Sequence, residues 1–316
     1  MKVMKFGGTS VGSPQRMQDV SQLITKSGEP TFVVLSAMSG TTNSLIEVCD
    51  YLYKKNSDGA NEVINTLEKK YMKHVDELYS TQEMKETTRK FLADEFRYLR
   101  SFTKDIFTSF EERIIVAQGE VISTNMVVNY LKEIGIKALL IDALDFMRTD
   151  KNAEPDAHYI KEHLSEIMSA NKGYQIYITQ GFICRNAYGE VDNLQRGGSD
   201  YTASLIGAAL MADEIIIWTD IDGMDHNDPR IVDKTEAVHQ LHFEEAAELA
   251  YFGAKILHPT CVQPAKFTGI PVRIKNTMDP EADGTVINNT LKRCAIKAVA
   301  AKDNIIAIKI KSSRML

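Results

Sequence analysis

The sequence has few of the residues that mark disulfide-stapled or zinc-bound proteins. Its 316 residues contain four cysteines, which lie far apart and form no Cys-x-x-Cys pair: Cys49, Cys184, Cys261 and Cys294. Disulfide frameworks and zinc sites use closely spaced cysteines, so this pattern predicts reduced, mostly buried thiols. The seven histidines include no His-Glu-x-x-His motif, and we interpret His239 and His242 as an exposed pair rather than as metal ligands.

Basic residues and long apolar runs are also scarce. The 37 lysines and arginines are outnumbered by 43 aspartates and glutamates, which gives a net charge of −6. Because no basic stripe runs along the chain, nucleic acid is not expected as a partner. No apolar run approaches the roughly 20 residues that cross a bilayer, and residues 1–6 hold no apolar signal region. A membrane partner is therefore not expected, and the sequence predicts a cytoplasmic protein.

The chain does contain an alternation of apolar strands and helices. Its length favours about two domains, or one large α/β unit with an appendage. Residues 31–36 are β-branched and apolar, as in a buried parallel strand. Strands are predicted at residues 2–6, 31–36, 136–141, 175–180, 214–219 and 271–275. In open parallel sheets ligands bind at the carboxyl ends of the strands, so the polar loops that follow these strands are expected to share one edge.

Helices are predicted from the helical periodicity of apolar residues. Ser13 and Pro14 are typical of a helix start, as N-cap and first helical residue. Further helices are expected at residues 44–55, 110–135, 156–170, 203–211, 243–252 and 262–267. We expect the helix at 110–135 to be broken at Gly119-Glu120. Residues 58–110 are highly charged and are interpreted as a helical insertion with solvated faces. Two short strands are expected at residues 295–301 and 305–311.

Residues 195–204 (QRGGSDYTAS) combine a cation, two glycines, a hydroxyl and a carboxylate before a helix of small residues. Arg196 can hold a carboxylate or a phosphate through two hydrogen bonds, and the helix start offers unpaired N–H groups. Asp200 can be a helix cap, a Mg²⁺ partner or a neighbour of a transferring group. This pattern predicts an anion site; the alternative is an ordinary glycine turn before a capped helix.

A second glycine loop follows the first strand, at residues 7–13 (GGTSVGS). Strand, glycine loop and helix form the usual cradle for phosphate. Thr9 stands where a dinucleotide fingerprint needs glycine, and no Gly-Lys-Ser/Thr ends the loop as in a Walker A motif. Lys5, at the end of the strand, can reach phosphate oxygens over the glycines. The alternative, a solvated lysine at a sheet edge, suits Lys2 better than Lys5.

Two further charged residues stand out. Glu120 lies among apolar residues, where a carboxylate is costly to bury unless it meets a cation. We therefore expect Glu120 to face either a ligand or a basic side chain, with the ligand favoured. Lys255, at the exit of a predicted helix, is a candidate second cation.

Taken together and in order, these residues resemble an aspartate kinase of the amino-acid-kinase superfamily. The resemblance extends from residue 2 to about residue 290. It is carried by KFGGTSVG at residues 5–12, VLSAMSG at 34–40, GE at 119–120, QGF at 180–182, RGGSDYTA at 196–203, TDIDG at 219–223, DPR at 228–230 and FGAKILHP at 252–259. It implies a three-layer αβα sandwich with an open, mostly parallel sheet. Cys184-Arg185 and residues 224–227 depart from the family pattern, beside the substrate loop and the adenine.

The resemblance also implies roles for individual residues. For catalysis it implies Lys5, Asp200 and Lys255. For the nucleotide it implies Lys5, Gly7, Gly8, Thr219, Asp220, Asp225, Arg230 and Lys255. For the aspartate site it implies Ser36, Ala37, Thr42, Glu120, Phe182, Arg196 and Ser199, in which Arg196 suits the α-carboxylate and Glu120 the ammonium group.

The implied reaction is phosphoryl transfer from ATP, with Mg²⁺, to the side-chain carboxylate of L-aspartate, the first step of lysine, threonine and methionine biosynthesis. This carboxylate has a pKa of about 3.9 and is already ionised at neutral pH, so no general base is needed. Asp200 is then expected to orient Lys5 or hold Mg²⁺. Alternatives are a kinase of the same superfamily for glutamate, N-acetylglutamate, carbamate or UMP, and a catalytically silent sensor of amino acids or nucleotides.

Relatives of this kind carry paired ACT regulatory domains after the catalytic domain. We therefore predict a catalytic domain at residues 1–293 and the beginning of a truncated ACT domain at residues 294–316. Because an isolated pair of strands is marginal in water, the segment beyond residue 293 is expected to be disordered or to pair with another chain or with the catalytic domain. A homodimer is expected for the full-length protein.

Overall fold

The computed structural model describes residues 1–26, 28–104, 106–194, 197–227, 231–232, 234–252, 257–292, 296–301 and 306. Its strands are β1 (Lys2–Phe6), β2 (Thr31–Leu35), β3 (Ala138–Ile141), β4 (Ile176–Gln180), β5 (Ile183–Arg185), β6 (Val191–Asn193), β7 (Glu214–Thr219), β8 (Met224–Asp225), β9 (Ala237–Val238), β10 (Gln240–His242), β11 (Val272–Asn276) and β12 (Thr285–Asn288). Its helices are α1 (Pro14–Lys26), α2 (Thr41–Tyr53), α3 (Ser57–Leu78), α4 (Gln82–Ser101), α5 (Ser109–Glu133), α6 (Ala157–Ala170), α7 (Gly198–Leu210), α8 (Phe243–Tyr251) and α9 (Gln263–Thr268).

Eight of the strands form one sheet in the order β10-β12-β11-β7-β1-β2-β4-β3. Within the described residues, the pairs in this sheet are parallel except for β11 with β12. β1 lies in the middle, hydrogen-bonded to β2 on one side and to β7 on the other. The carboxyl ends of these three strands therefore meet at one edge, as predicted.

Side chains alternate between the two faces of the sheet, and this divides the core in two. Met4 and Phe6 of β1 pack with residues of α1 to α5 on one face. Val3 of β1 packs on the other face, with residues of α6 to α9. The fold is thus the three-layer α/β architecture with an open, mostly parallel sheet, which confirms the predicted fold class.

The charged segment at residues 58–110 is helical, as predicted, and consists mainly of α3 and α4. Its buried positions follow the helical period, with α3 burying Ile64, Leu67, Tyr71 and Val75. Side-chain caps at Asn56 and Thr81 accept hydrogen bonds from backbone N–H groups and start the two helices. Each helix thus has a solvated face and an apolar stripe.

The predicted break at Gly119 is wrong, because α5 is continuous from Ser109 to Glu133. A capping box formed by Thr108 and Glu111 starts this helix, and its buried residues surround it on most sides. The glycine serves close packing instead. A Cβ at position 119 would lie 2.7 Å from the Cβ of Ala37, so only glycine lets α5 approach the loop after β2 this closely.

The helix expected at residues 203–211 also begins earlier than predicted. α7 starts at Gly198, with Gly197 as its N-cap at φ 77°, a left-handed conformation that glycine adopts readily. Asp200 therefore lies in the first turn of α7 and is not its cap. The helix predicted from residue 44 likewise begins at Thr41, because Gly40 at φ 83° already starts its first turn.

Several short strands were not predicted from the sequence, namely β5, β6, β8, β9, β10 and β12. They have six residues or fewer and no clear apolar alternation. In contrast, the strand expected at residues 295–301 is absent from its described part, residues 296–301. There Val299 N–H donates to the His226 carbonyl at 2.8 Å, and Lys297 pairs with Glu245 at 2.7 Å. Apart from Ile306, residues 305–311 lie outside the described part.

The cysteines and the apolar segments can be compared with their predictions. Cys49, Cys184 and Cys261 are buried thiols, and burial raises the pKa of each to about 12. Cys294 lies outside the described residues. Among the helices that the structure describes, none combines the length and the apolar character required to cross a membrane.

Candidate active site

Lys5 and Asp200 form an ion pair at the edge where the strands end. Alternation along β1 points Lys5 to the face covered by α7, and Asp200 lies in the first turn of that helix. Lys5 Nζ lies 2.8 Å from Asp200 Oδ1, and the two side chains are 12% and 15% exposed. The carboxylate therefore holds the ammonium group in place by charge.

The glycine loop after β1 lies against both neighbouring strands. Gly7 N–H donates to the Trp218 carbonyl of β7 at 3.3 Å, and Ser39 N–H, beyond β2, donates to the Gly8 carbonyl at 3.1 Å. A Cβ at Gly8 would lie only 2.8 Å from the Ala37 carbonyl. Only glycine at position 8 therefore lets this loop lie so close to the loop after β2.

Three serines join the end of β2, the middle of α5 and the start of α7. Ser36 Oγ donates to Ser199 Oγ at 2.9 Å, and Ser123 Oγ donates to the Ser36 carbonyl at 2.7 Å. The end of β4 is equally close, since a Cβ at Gly181 would lie 2.4 Å from Ser199 Oγ. The loop after β2 is thus held against the start of α7, with its hydroxyl groups at the same edge as Lys5.

Glu120 is a buried carboxylate with an unused oxygen. Its residue is 4% exposed, and burial raises its pKa to about 7, partly offset by a hydrogen bond from the Ala37 backbone. The other oxygen, Oε2, has no partner within the described part of the chain. Of the two alternatives drawn from the sequence, a basic partner is not found among the described side chains. The arrangement suits a cationic group of a ligand.

Phe182 has a backbone conformation that is unusual for a residue with a side chain. Its φ is 71°, and its N–H donates to Thr202 Oγ1 of α7 at 3.0 Å. A Cβ at Gly198 would lie 2.5 Å from the Phe182 ring, so glycine is required where the ring covers the start of α7. Such strain persists only where surrounding contacts enforce it, and it is common at binding sites.

The residues expected at the nucleotide follow β7 and are more exposed. Thr219 Oγ1 donates to Asp220 Oδ1 at 3.2 Å, and the Thr219 carbonyl accepts from Thr277 N–H at 2.8 Å. Asp220 is exposed. Asp225 lies farther along, on β8, where it accepts a hydrogen bond from Thr235 at 2.9 Å. This side of the edge is thus exposed at Asp220 and half-buried at Asp225.

Three of the predicted site residues lie outside the described residues, namely Arg196, Arg230 and Lys255. Thr42 is half-buried, whereas its neighbour Thr41 is fully buried and packs against the turn of Gly119. Sequence reasoning missed Thr41 and also Ser123. The spacing of three between Glu120 and Ser123, which places both on one helix face, could have indicated Ser123.

Among the side chains that the structure describes, no group of three or more His, Cys, Asp and Glu residues could hold a metal ion. A Mg²⁺ ion that arrives with a nucleotide does not require such a group. It is usually held by substrate phosphates and one or two carboxylates. The Asp200 carboxylate, close to the glycine loop, fits that requirement.

Comparisons with known proteins identify the family of this chain. The model of the amino acid kinase family matches residues 1–276. Aspartokinase 1 of Arabidopsis thaliana, a chloroplastic protein, is 36% identical over 99% of this chain and 57% of its own length. Lysine-sensitive aspartokinase 3 of Escherichia coli is 33% identical over 99% of this chain and 70% of its own length.

A solved structure shows the same likeness in three dimensions. The crystal structure of E. coli aspartokinase III in complex with aspartate and ADP superimposes with a TM-score of 0.83 at 32% identity, covering 92% of this chain and 65% of that chain. The chain spans less than two thirds of the length of the Arabidopsis relative. By the match to the family model and by the likeness to the E. coli relative, the chain belongs to the amino acid kinase family, and it resembles the aspartokinases along nearly its whole length.

Proposed function

We propose that this chain transfers the γ-phosphoryl group of ATP to the side-chain carboxylate of L-aspartate. The observation that carries this proposal is the buried Glu120, whose Oε2 has no partner among the described residues, at the same sheet edge as the Lys5–Asp200 pair. A carboxylate that is this deeply buried is best satisfied by a cation of the ligand. The similar E. coli structure, a complex with aspartate and ADP, supports the same pair of ligands.

Glu120 gives the site its preference for an unmodified amino acid. A free ammonium group can donate to Oε2, whereas an acetylated nitrogen carries no charge and would leave the carboxylate unpaired. The Ser36 and Ser199 hydroxyls, 2.9 Å apart, lie where they can bind the acceptor, beside Ala37 and Phe182. Arg196, outside the described residues, is the proposed partner of the α-carboxylate. Thr42 completes the proposed acceptor site.

The chemistry then requires positioning and charge neutralisation. An oxygen of the aspartate side chain forms a bond to the γ-phosphorus while the bond to the bridging oxygen of ADP breaks, so no proton has to move. Lys5 offsets the negative charge that shifts toward the phosphate oxygens, and Asp200 keeps Lys5 in place. The Gly8 amide and the start of α7 supply further donors.

The nucleotide lies, in this proposal, along the more exposed side of the edge. Gly7 and Gly8 cradle its phosphates, with Lys5 and Lys255 above them. Its nucleoside part lies near the residues that follow β7, which are Thr219, Asp220, Asp225 and Arg230. Mg²⁺ is carried by the phosphates, with Asp200 as the nearby carboxylate.

Domain boundaries, dimer formation and location remain predictions. The family model ends at residue 276, before the proposed boundary at residue 293. The contacts of Lys297 and Val299 with the preceding domain support the alternative in which the last segment pairs with the catalytic domain. A homodimer of the full-length protein and a cytoplasmic location complete the proposal.

The test is an ADP-release assay with aspartate, glutamate, N-acetylglutamate or no acceptor, each with and without Mg²⁺. We expect release of ADP that depends on both aspartate and Mg²⁺. Acceptor-dependent release with glutamate or N-acetylglutamate in place of aspartate would replace the proposed substrate. Absence of release with every acceptor would favour a catalytically silent sensor.

A further inference from the structure

The helical segment of α3 and α4 reaches the candidate site through one buried side chain, Tyr71. This residue lies in the apolar stripe of α3 and is fully buried. Its hydroxyl lies 2.8 Å from Thr41 Oγ1, and either oxygen can be the donor. A polar group at the centre of an apolar stripe is costly unless its hydrogen bond is made, so this contact fixes both residues.

Thr41 transmits this contact to the acceptor side of the site. It is the first residue of α2, and its methyl group lies 3.3 Å from the position of a Cβ on Gly119. Ala37 lies against the same glycine, and its backbone donates to Glu120. Thr41 is therefore packed between Tyr71 and the turn of α5 that carries Glu120.

A second contact from α3 supports the same loop. Lys70 Nζ donates to the Ser39 carbonyl at 3.3 Å, and the N–H of the same residue donates to the Gly8 carbonyl. Burial raises the pKa of Tyr71, the hydrogen bond with Thr41 lowers it, and the charge of Glu120 raises it further, so the phenol that bonds Thr41 is neutral.

We propose that Tyr71 is a positioning residue for the acceptor site: its hydroxyl fixes Thr41, and through Thr41 the loop after β2 and the Glu120 carboxylate. The proposal rests on the proposed function and adds a determinant of acceptor binding that lies in the helical segment. Tyr71 does not touch the acceptor. It holds in place the groups that do.

The chain offers a matched control in Tyr79, which directly follows α3. Tyr79 is also buried, and its hydroxyl donates at 2.7 Å to the Met126 carbonyl of α5 rather than to Thr41. Tyr71→Phe and Tyr79→Phe each remove one hydroxyl from one buried tyrosine. They should therefore reduce thermal stability to a similar extent and differ in their effect on the acceptor.

The measurement is the KM for aspartate and the KM for ATP in the ADP-release assay. For Tyr71→Phe we expect the KM for aspartate to rise by about 5- to 30-fold, because a buried hydroxyl partner is left unsatisfied beside the site, with the KM for ATP changed by less than about twofold. Tyr79→Phe should leave both KM values near those of the wild type. An equal rise for both variants, or a joint rise of both KM values in Tyr71→Phe, would overturn the proposal.

The same bond can be tested from its other end. Thr41→Val should reproduce the effect of Tyr71→Phe on the KM for aspartate. Thr41→Ser keeps the hydroxyl and should raise this KM less than Thr41→Val. The double variant Tyr71→Phe/Thr41→Val should be no worse than about twofold beyond either single change. These variants decide the matter if Tyr71→Phe does not fold. Additive effects in the double variant would overturn the proposal. A wild type without aspartate-dependent ADP release would instead overturn the proposed function itself, together with this inference.

Discussion

The two halves of the candidate site differ in how deeply their polar groups are buried. On the acceptor half, around the ends of β2 and α7 and the middle of α5, Glu120 and Ser123 are buried, and Ser36 bonds Ser199 at 2.9 Å. On the nucleotide half, after β7, Asp220 and Asp222 are exposed. The polar groups of the acceptor half are thus fixed in the interior, whereas Asp220 and Asp222 of the proposed nucleotide half lie at the surface.

This difference has an energetic consequence. A buried polar group that loses its partner costs about 1–3 kcal/mol, whereas an exposed charge pair contributes about 0–1 kcal/mol. Selectivity should therefore depend mainly on the acceptor half, and substitutions on the nucleotide half should be tolerated better. Lys5 belongs to both halves, because β1 lies between β2 and β7.

The largest effect on turnover is expected for Lys5, which lies between the two halves. Lys5→Ala should lower kcat by about a hundredfold or more while the fold persists, since one preorganised donor at a developing charge contributes about 3 kcal/mol to catalysis. Steady-state turnover, with circular dichroism as the folding check, measures this. Lys2 lies on the same strand and pairs with Glu29 at 3.2 Å at the far end, so Lys2→Ala is the control and should change turnover little. Near-normal turnover of a folded Lys5→Ala variant would contradict the phosphate role.

The next largest effect is expected on the KM for aspartate, and it tests the acceptor half alone. Glu120→Gln should raise the KM for aspartate by about 30-fold, since a charge-assisted hydrogen bond to the ammonium group is lost. The KM for ATP should stay within about twofold of the wild type, as expected for a group that meets only the acceptor. A parallel rise of both constants would make Glu120 a structural residue and remove the proposed contrast between the halves.

The raised pKa of Glu120 predicts that the KM for aspartate depends on pH. Because burial raises the Glu120 pKa to about 7, the carboxylate takes up a proton as pH falls through that value, and a neutral acid does not pair with ammonium. The KM for aspartate should rise by up to about tenfold per pH unit below 7, and this rise should disappear in Glu120→Gln. A wild-type KM that is flat between pH 6 and 8 would contradict this.

Stability should show the opposite trend with pH, and this gives an independent check on the same group. The folded state binds the Glu120 proton more tightly than the unfolded state does. Protonation of Glu120 therefore adds to the free energy of unfolding in full below about pH 4.5, and this contribution is lost as pH rises through about 7. Denaturant titration should show that the free energy of unfolding falls over this pH range in the wild type and falls less in Glu120→Gln. Bound aspartate should reduce the fall, since it binds the ionised form of Glu120.

The smallest effect among these substitutions is expected on the nucleotide half. Asp220→Asn should raise the KM for ATP by about two- to threefold and leave the KM for aspartate unchanged, since an exposed carboxylate contributes little. Both constants come from the same assay. A loss as large as that of Glu120→Gln would show that the nucleotide half is as strictly determined as the acceptor half.

Much of this arrangement could be predicted from the sequence. The parallel strands and the loops at their carboxyl ends follow from apolar runs that end in polar or glycine residues, and the pairing of Lys5 with Asp200 is one expected role of the carboxylate. Glu120 is identified by the cost of its burial. These features depend on local pattern and on general energetics.

The remaining features depend on contacts that are distant in sequence. A glycine inside a helical pattern suggests a break at position 119. The sequence does not show that Ala37 packs against this position, which is why a glycine is needed there within a continuous helix. Tyr71 is one position of a stripe in a charged segment, and nothing local indicates that its hydroxyl meets Thr41, 30 residues away. The starts of α2 and α7 at glycines with positive φ escape prediction for the same reason: a glycine permits such a start and does not require it.

Trp218, whose carbonyl holds Gly7, is the only tryptophan in the chain. Its ring stacks on Phe6 and is buried, and Lys275 Nζ lies 5.4 Å from the ring centre. The tryptophan emission of the protein therefore originates from one point, next to the glycine loop and to Thr219. Titration with ATP should change the tryptophan emission, and titration with aspartate alone should change it less, so the order in which the two ligands bind can be followed without a label.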